Sequence, residues 1–506
     1  MSNIILSTLN ARYIHSSLGL RYLLANMGAL QDQTTICEYI INSRPIDVVE
    51  KLLSTNPKII GFGVYIWNID QTTQVVSLLK EINPEIKIII GGPEVSHEQE
   101  QQHIFQLCDF AISGAADLEF PSLCQEILKN QAPKTKKVQS IPFDLSQLKL
   151  PYELYNDEDI RHRVIYVEAS RGCPFKCEFC ISALDKTAWA FDLDKFLSEM
   201  EKLYQRGARQ FKFVDRTFNL KIQSSIKILE FFLQRMDNNL FLHFELIPDH
   251  LPEKLKNIIK KFPEGSLQFE IGIQSFNPEV QALISRKQNN TKSKANISWL
   301  RNETPAHLHT DLIMGLPGES VESIEQGFNQ LVELNPHEIQ MGVLKRLRGT
   351  PIIRHTKQFS LKFNPSSPYN ILENDKINFS SMQRLNRFAR YWDMIANSGR
   401  FKSSKQYILG DNPFSNFLRI SDWLFEQTQQ THKIALPRLF ELLYMCLTKH
   451  FDLDPPSVKL ALWTDYMESG LKGRPSFADS TMLEDRKMKQ SLIRSPAQIR
   501  QSRHAH

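Results

Sequence analysis

The sequence predicts an α/β protein in three parts: an N-terminal doubly wound parallel sheet, an open six-stranded (β/α)6 partial TIM barrel, and a helical C-terminal region. Three observations carry this reading. Short β-rich runs alternate with helical periods through residues 3–130 and again from about Arg161 to Pro351, a pattern that requires parallel strands joined by crossover helices. Several strands of the first group end in glycine. From about residue 376 to 470 apolar residues recur at helical spacing instead, as at Leu439, Leu442, Leu443, Cys446 and Leu447.

In the first part Ile4–Leu9 reads as a strand and Ser17–Leu30 as a helix. Strands follow at Thr34–Ile40, Lys58–Val64, Ile86–Ile90 and Asp109–Ile112. Gly61 and Gly63 close the third strand, Gly91 and Gly92 the fourth, and Gly114 the fifth. Ligands on such sheets bind beyond the carboxyl ends of the strands, and glycine lets a backbone approach a ligand closely. Tight turns alone would also account for these glycines. Residues 131–160 read as a linker, with Pro133, Pro142, Pro151 and the acidic run Asp157-Glu158-Asp159. The barrel strands are Val164–Glu168, Phe211–Asp215, Phe241–Leu246, Leu267–Ile273, Leu308–Met314 and Glu338–Val343, too few for a closed eight-stranded barrel. The expected division is a first domain over 1–130, the linker over 131–160, the barrel over 161–355, a helical domain over 356–480 and a disordered basic tail over 481–506. The C-terminal helices are expected to close the barrel mouth around a substrate, with Trp392 either lining that pocket or packed in the core.

Composition excludes several classes. With 42% hydrophobic and 23% charged residues the chain is neither collagen-like nor largely disordered. No apolar run reaches the roughly 18 residues of a membrane span, and the N-terminus lacks the basic region of a signal peptide. A net charge of +5, from 61 basic and 56 acidic residues, makes no electrostatic case for nucleic acid. Seven cysteines, an odd and sparse set, suit a reducing, cytoplasmic compartment rather than a disulfide scaffold.

The strongest chemical signal is Glu168-Ala-Ser-Arg-Gly-Cys173-Pro-Phe-Lys-Cys177-Glu-Phe-Cys180, directly after a strand. Three thiolates on one short loop can each ligate an iron of a cubane cluster, leaving the fourth iron open. A structural zinc site usually wants four ligands in paired short spacings, and no second pair or nearby histidine supplies the fourth. The strand Leu267–Ser275 alternates, with Phe269, Ile271 and Ile273 on one face and Gln268, Glu270, Gly272 and Gln274 on the other. The same alternation puts His243 with Glu245, His309 with Asp311, and Glu338 with Gln340 and Gly342. Closed barrels usually fill their interior with Val, Ile and Leu, so a polar lumen suggests a ligand cavity.

The CxxxCxxC spacing, with Phe179 before the third cysteine, resembles the radical S-adenosylmethionine (SAM) superfamily. The resemblance implies a [4Fe–4S] cluster on Cys173, Cys177 and Cys180, with SAM chelating the open iron and cleaved reductively to a 5′-deoxyadenosyl radical. It covers roughly residues 161–350. Glu270-Ile-Gly-Ile-Gln-Ser followed by Arg286 looks like the fourth-strand region of coproporphyrinogen-dehydrogenase-like members, which implies SAM contacts at Glu270, Gln274 and Arg286. Asp311-Leu-Ile-Met-Gly-Leu-Pro-Gly-Glu319 looks like the fifth-strand glycine turn, which implies Gly315 near adenine. Asp215 occupies the second-strand position near the SAM amino group, although the usual Gly-Gly-Glu is absent.

The preceding α/β domain and the connector Asp144–Tyr152 resemble the cobalamin-binding subclass, which implies cobalamin held at His15, Gly19, Gly63, Gly91, Gly92 and Gly114. Its implied chemistry is C–H functionalisation such as methylation or ring formation. Full cobalamin-binding domains carry DxHxxG after the first strand. Here the loop reads Asn10-Ala-Arg-Tyr-Ile-His15-Ser-Ser-Leu-Gly19, one residue too long and without the aspartate that would orient the imidazole. His15 is therefore as readily a loop or capping residue as a cobalt ligand. The radical SAM methylthiotransferases of transfer RNA are the second family weighed, because Cys37, Cys108 and Cys124 could hold a further cluster. Their strand and apolar-face positions read instead as core. A non-catalytic cobalamin or redox sensor is the remaining alternative. The partners expected are a small-molecule substrate and an electron donor such as flavodoxin or ferredoxin, with no membrane and no nucleic acid.

Overall fold

The computed structural model describes residues 3–185 and 187–478; the basic tail expected at 481–506 lies outside the described residues. The chain forms two compact bodies. One runs up to Glu245 and includes Lys345–Arg354 and Phe363–Asn370; the other holds Leu246–Leu344, His355–Lys362 and the chain from Ile371 onward. Among the described residues no helix is long and apolar enough to cross a membrane.

The first body opens with a six-stranded parallel sheet: β1 (Ile4–Asn10), β2 (Thr34–Ile40), β3 (Ile59–Gly63), β4 (Lys87–Gly91), β5 (Phe110–Ser113) and β6 (Lys137–Gln139), in the order β2-β1-β3-β4-β5-β6. Every residue of β1 is buried, as a central strand covered on both faces requires. Helices α1 (Leu18–Ala25), α2 (Pro45–Leu53), α3 (Ile69–Ile82), α4 (His103–Leu107) and α5 (Glu119–Leu128) divide between the faces. Val49, Val76 and Ile104 of α2, α3 and α4 enter one apolar core, while Leu20 and Phe120 of α1 and α5 enter the other. This doubly wound order reverses between β1 and β3, which opens a crevice at their carboxyl ends.

Two expectations are corrected. The first helix stops at Ala25 rather than Leu30, because Gly28 takes φ +56° and begins a separate 3-10 turn. Residues 131–160 are not merely a linker. Lys137–Gln139 adds the sixth strand, Ala111 pairing with Lys137. The acidic run forms the first turn of α6 (Asp157–His162), closed by a capping box between Asn156 and Asp159. Asp159 is buried and accepts from Arg21 at 2.7 Å, and Arg21 also meets Glu38 of β2 at 3.0 Å. Of the acidic run Asp159 thus enters a buried ion-pair network that fastens the connector to the first sheet, while Asp157 and Glu158 stay exposed.

The barrel begins in the same body with β7 (Ile165–Val167) and a short antiparallel pair, β8 (Ser170–Arg171) and β9 (Trp189–Ala190). Next come α7 (Leu193–Gln205), β10 (Gln210–Phe213), α8 (Ile222–Leu233) and β11 (Phe241–Leu246). Phe213 packs against Phe244 and Phe232 with ring centroids 4.4 and 6.1 Å away. The second body carries α9 (Glu253–Ile259), β12 (Leu267–Gln274), α10 (Pro278–Leu283), α11 (Asn290–Glu303), β13 (His307–Met314), α12 (Val321–Leu334) and β14 (Glu338–Val343). The barrel strands are ordered β14-β13-β12-β11-β10-β7.

Among the described residues five α-helices follow: α13 (Phe379–Ile395), α14 (Lys405–Leu409), α15 (Pro413–Thr428), α16 (Leu436–Met445) and α17 (Pro455–Glu468). An open sheet leaves the backbone of its last strand unpaired. Beyond α13, Asn397 answers this on β14: its side-chain oxygen accepts from Ile339 N at 3.0 Å and its amide donates to Ile339 O at 2.9 Å. Helix α13 therefore runs beside the open edge of the barrel. Trp392 belongs to its apolar side, among Phe328, Phe388 and Phe417.

Candidate active site

The cysteine loop is held by backbone and carboxylate contacts built into the sequence around it. Gly172, at φ +86°, turns the chain where a Cβ would strike the Thr187 carbonyl. Cys173 N then donates to Asp185 O at 3.3 Å, and Cys180 N to Cys177 O at 3.1 Å. The Asp215 carboxylate, buried just past β10, accepts from Ala169 N at 3.0 Å and Ser170 Oγ at 2.5 Å, fixing the residues that lead into the loop. Burial pushes Asp215 up to about 7 against these hydrogen bonds. Glu178, between the second and third cysteines, is buried, pairs with Arg354, and accepts from Ile352 N at 3.0 Å through its carbonyl. Phe179 beside it is half-buried.

The donor set suits an iron–sulfur cluster. Cys173, Cys177 and Cys180 are all free thiols, two buried and the third partly so. Burial pushes the Cys173 thiol up, and the neighbouring Cys180 and Cys177 add to the shift. Among the described residues no three Cys, His, Asp or Glu side chains converge on a single ion. Thiolates that each take a different iron need not converge in that way.

Arg171, two residues before Cys173, joins this loop to the first sheet. It donates twice to Asp117, at 2.9 and 3.1 Å, and once to Glu168 at 2.8 Å, with its guanidinium over the Tyr22 ring at 4.4 Å. Both carboxylates are buried. Arg171 and Asp117 also line a cavity of about 230 Å³ at the carboxyl ends of β3, β4 and β5. Gly19, Gly63, Gly91, Gly92 and Gly114 line it too. A Cβ on Gly92 would meet the Val64 carbonyl at 2.5 Å, so the fold itself demands glycine there. On Gly63 and Gly91 a Cβ would find nothing nearer than 3.5 and 3.9 Å. Packing does not forbid side chains at those two positions; they would fill the cavity instead. A glycine-walled crevice at the sheet's switch point suits a large planar cofactor whose edge approaches the backbone.

His15 is not part of that lining. Its Nδ1 lies 2.7 Å from the Tyr166 hydroxyl, and its backbone bridges to Val164. Burial, then Lys212 and Arg12, lower its pKa. The loop after β3 adds Tyr65 to the lining, stacked on the exposed Trp67 at 4.4 Å.

In the second body the barrel-facing residues gather in two layers. Near the carboxyl end of β12 the ladder shifts register between Gly272 and Gln274, and Gln274 takes φ +68°. Arg286 donates to the Gly272 carbonyl and to Gln288 Oε1 at 3.0 Å, and a Cβ on Gly272 would strike the Gln274 amide. Gln274 and Arg286 are therefore neighbours. Gly315 ends β13 at φ +87°, where a Cβ would press on Ile371 at 2.6 Å.

Deeper along the strands His309 lies 3.0 Å from Asp311 and 3.5 Å from Glu338. Burial opposes its protonation, but Asp311, then Glu338 and Glu270, carry it up to about 9. A histidine raised in the folded state contributes stability that is complete below its ordinary 6.5 and is lost as pH rises through about 9. Thermal unfolding followed from pH 6 to 9.5 is expected to show the melting temperature falling across this window. The His309→Gln variant is expected to lose that slope, and an identical slope in the variant would remove His309 as its source.

Sequence reasoning missed the Arg171–Asp117 pair. The Glu168–Arg171 spacing was visible, but Asp117 carries no local signal.

Residues 167–331 match the family model for the radical SAM superfamily, residues 5–123 the B12 binding domain, and residues 357–503 a family described as protein of unknown function (DUF4080). The chain is thus a cobalamin-dependent radical SAM enzyme, with [4Fe–4S], SAM and cobalamin as its cofactors and a DUF4080 region at its C-terminal end. Among curated proteins it is 24% identical over 362 residues to an uncharacterized methyltransferase of Pyrococcus horikoshii, covering 66% of this chain and 76% of the relative. It is 21% identical over 460 residues to the cobalamin-dependent radical SAM methyltransferase TokK of Streptomyces tokunonensis, covering 81% of this chain and 65% of that protein. The fold is shared with the cobalamin-dependent SAM radical enzyme OxsB with aqua-cobalamin bound, at TM-score 0.61 and 12% identity, over 99% of this chain and 83% of OxsB.

Proposed function

We propose that the chain methylates a small-molecule substrate by a cobalamin-dependent radical SAM reaction. The observation that carries this is Arg171, which belongs at once to the cysteine loop and to the wall of the glycine-lined cavity. One side chain thus ties the residues suited to a cluster to those suited to a corrinoid. The methyltransferase names of the two curated relatives favour methylation over ring formation.

When bound, the cluster supplies an electron for SAM cleavage and cobalamin supplies methyl-transfer chemistry. The chain's own residues do the rest. Cys173, Cys177 and Cys180 would hold the cluster, and Asp215 fixes the approach to their loop. Gly63 and Gly91 leave the crevice clear, and Gly19, Gly92 and Gly114 border it. Gln274, Arg286, Glu270 and Gly315 would position SAM in the barrel. His15, hydrogen-bonded to Tyr166, would not ligate the cobalt. A small flavodoxin or ferredoxin would deliver electrons. The methylthiotransferase reading is disfavoured because Cys124 lies in one core of the first sheet, while Cys37 and Cys108 lie in the other.

The test is an anaerobic incubation of the reconstituted, reduced chain with SAM, with and without hydroxocobalamin. The expected result is 5′-deoxyadenosine that requires the cluster and S-adenosylhomocysteine that requires cobalamin. S-adenosylhomocysteine absent, or formed equally without cobalamin, would rule out methylation by this route.

A further inference from the structure

The second body holds a separate cavity of about 230 Å³ at the amino ends of β13 and β14, where Pro336, His337 and Ile339 border it. The glycine turn at Gly315 lies at the opposite, carboxyl end of β13. One wall comes from the DUF4080 region: Trp392, Phe401, Lys402, Lys405 and Leu409. Asn397, joined to the Ile339 backbone by two hydrogen bonds, holds this wall against the barrel edge.

The charged residues that line this cavity are all basic. Arg301, Lys402 and Lys405 line it, and among the described residues no Asp or Glu does. Arg301 and Lys405 share one residue: Arg301 Nε donates to the Asn335 carbonyl at 2.8 Å, and Lys405 Nζ to its side-chain oxygen at 2.9 Å. Asn335 is the left-handed C-cap of α12. A helix end carries about half a negative charge, too little to neutralise two cations held on one residue. Partial burial, then the Arg301 charge, hold the Lys405 ammonium below its ordinary pKa. Two like charges so placed, with no carboxylate between them, cost stability until an anion joins them.

Most of the rest of the lining is apolar, and Trp392 borders it at 4% exposure. Trp392, Phe401 and Leu409 also give the cavity an apolar floor. The space equals about eight waters at ~30 Å³ each, room for one ring and an acidic group.

We propose that this cavity binds a small organic anion, its acidic end between Arg301 and Lys405 and its apolar body on Trp392, Phe401 and Leu409. The site would place a metabolite sensor, or a second substrate-derived ligand, in the DUF4080 region, away from the strand ends that bear Gln274 and Gly315.

Titration calorimetry of the full chain with phenyl phosphate, phenol and inorganic phosphate tests it. Phenyl phosphate is expected to saturate at one site, with phenol and inorganic phosphate each weaker by roughly tenfold or more, as loss of one strong contact implies. Arg301→Gln with Lys405→Gln is expected to weaken phenyl phosphate by a further order of magnitude, roughly, and Arg301→Lys to restore part of it. No saturable binding, equal binding of inorganic phosphate, or affinity unchanged in the double variant would each overturn the proposal.

Discussion

Replacing Cys173, Cys177 and Cys180 together with alanine is expected to leave the anaerobically reconstituted chain without its four cluster irons and to reduce 5′-deoxyadenosine formation to background. The loop itself should persist. Its shape is set by Gly172, by the Asp215 hydrogen bonds to Ala169 and Ser170, and by Glu178 with Arg354. None of these involves a thiol. Circular dichroism and melting of the iron-free variant should therefore match those of the iron-free parent, which separates a lost cluster from a lost fold. A variant that still held four irons and four sulfides would place the cluster elsewhere.

The second large effect is expected from Arg171→Met. The substitution keeps the bulk over Tyr22 but strands Asp117 and Glu168, both buried, without their cation. Breaking such a pair by removing one partner costs about 3–5 kcal/mol. Because the same guanidinium lines the glycine-walled cavity, cobalamin retention on gel filtration should fall together with stability. Arg171→Lys should recover only part of either, since an ammonium cannot make the two-pronged contact with Asp117. Melting unchanged in Arg171→Met would mean that the pair contributes nothing, and retention unchanged would separate the cavity from the cysteine loop.

What could be read from the sequence was governed by how local its cause is. The strands Thr34–Ile40, Phe241–Leu246 and Glu338–Val343 begin and end where the alternation and flanking residues place them. The cysteine loop was legible because three thiols within eight positions have few other uses. The glycines were legible as strand endings, although which of them serve packing and which leave the cavity open needed coordinates. Lys137–Gln139 was lost because three residues with lysine at the first carry no strand pattern, and the strand exists through pairing with β5. The buried ion pair of Asp159 was not legible because its partner, Arg21, is 138 residues away. The Arg171–Asp117 bridge, 54 residues apart, was hidden for the same reason. Nor does the sequence say that a helix would need to cover the open edge of β14, or that Asn397 would satisfy that edge.

The central claim is that residues 5–123 hold a corrinoid in the glycine-lined cavity without a histidine on cobalt. Electron paramagnetic resonance of the reconstituted chain, loaded with hydroxocobalamin and reduced to cob(II)alamin, tests it most directly. The account predicts about one bound cobalamin per chain surviving gel filtration, cobalt hyperfine lines without nitrogen triplets, and the same spectrum in His15→Ala, because His15 is engaged by Tyr166. Triplet splitting that disappears in His15→Ala, or no retained cobalamin at all, would contradict it.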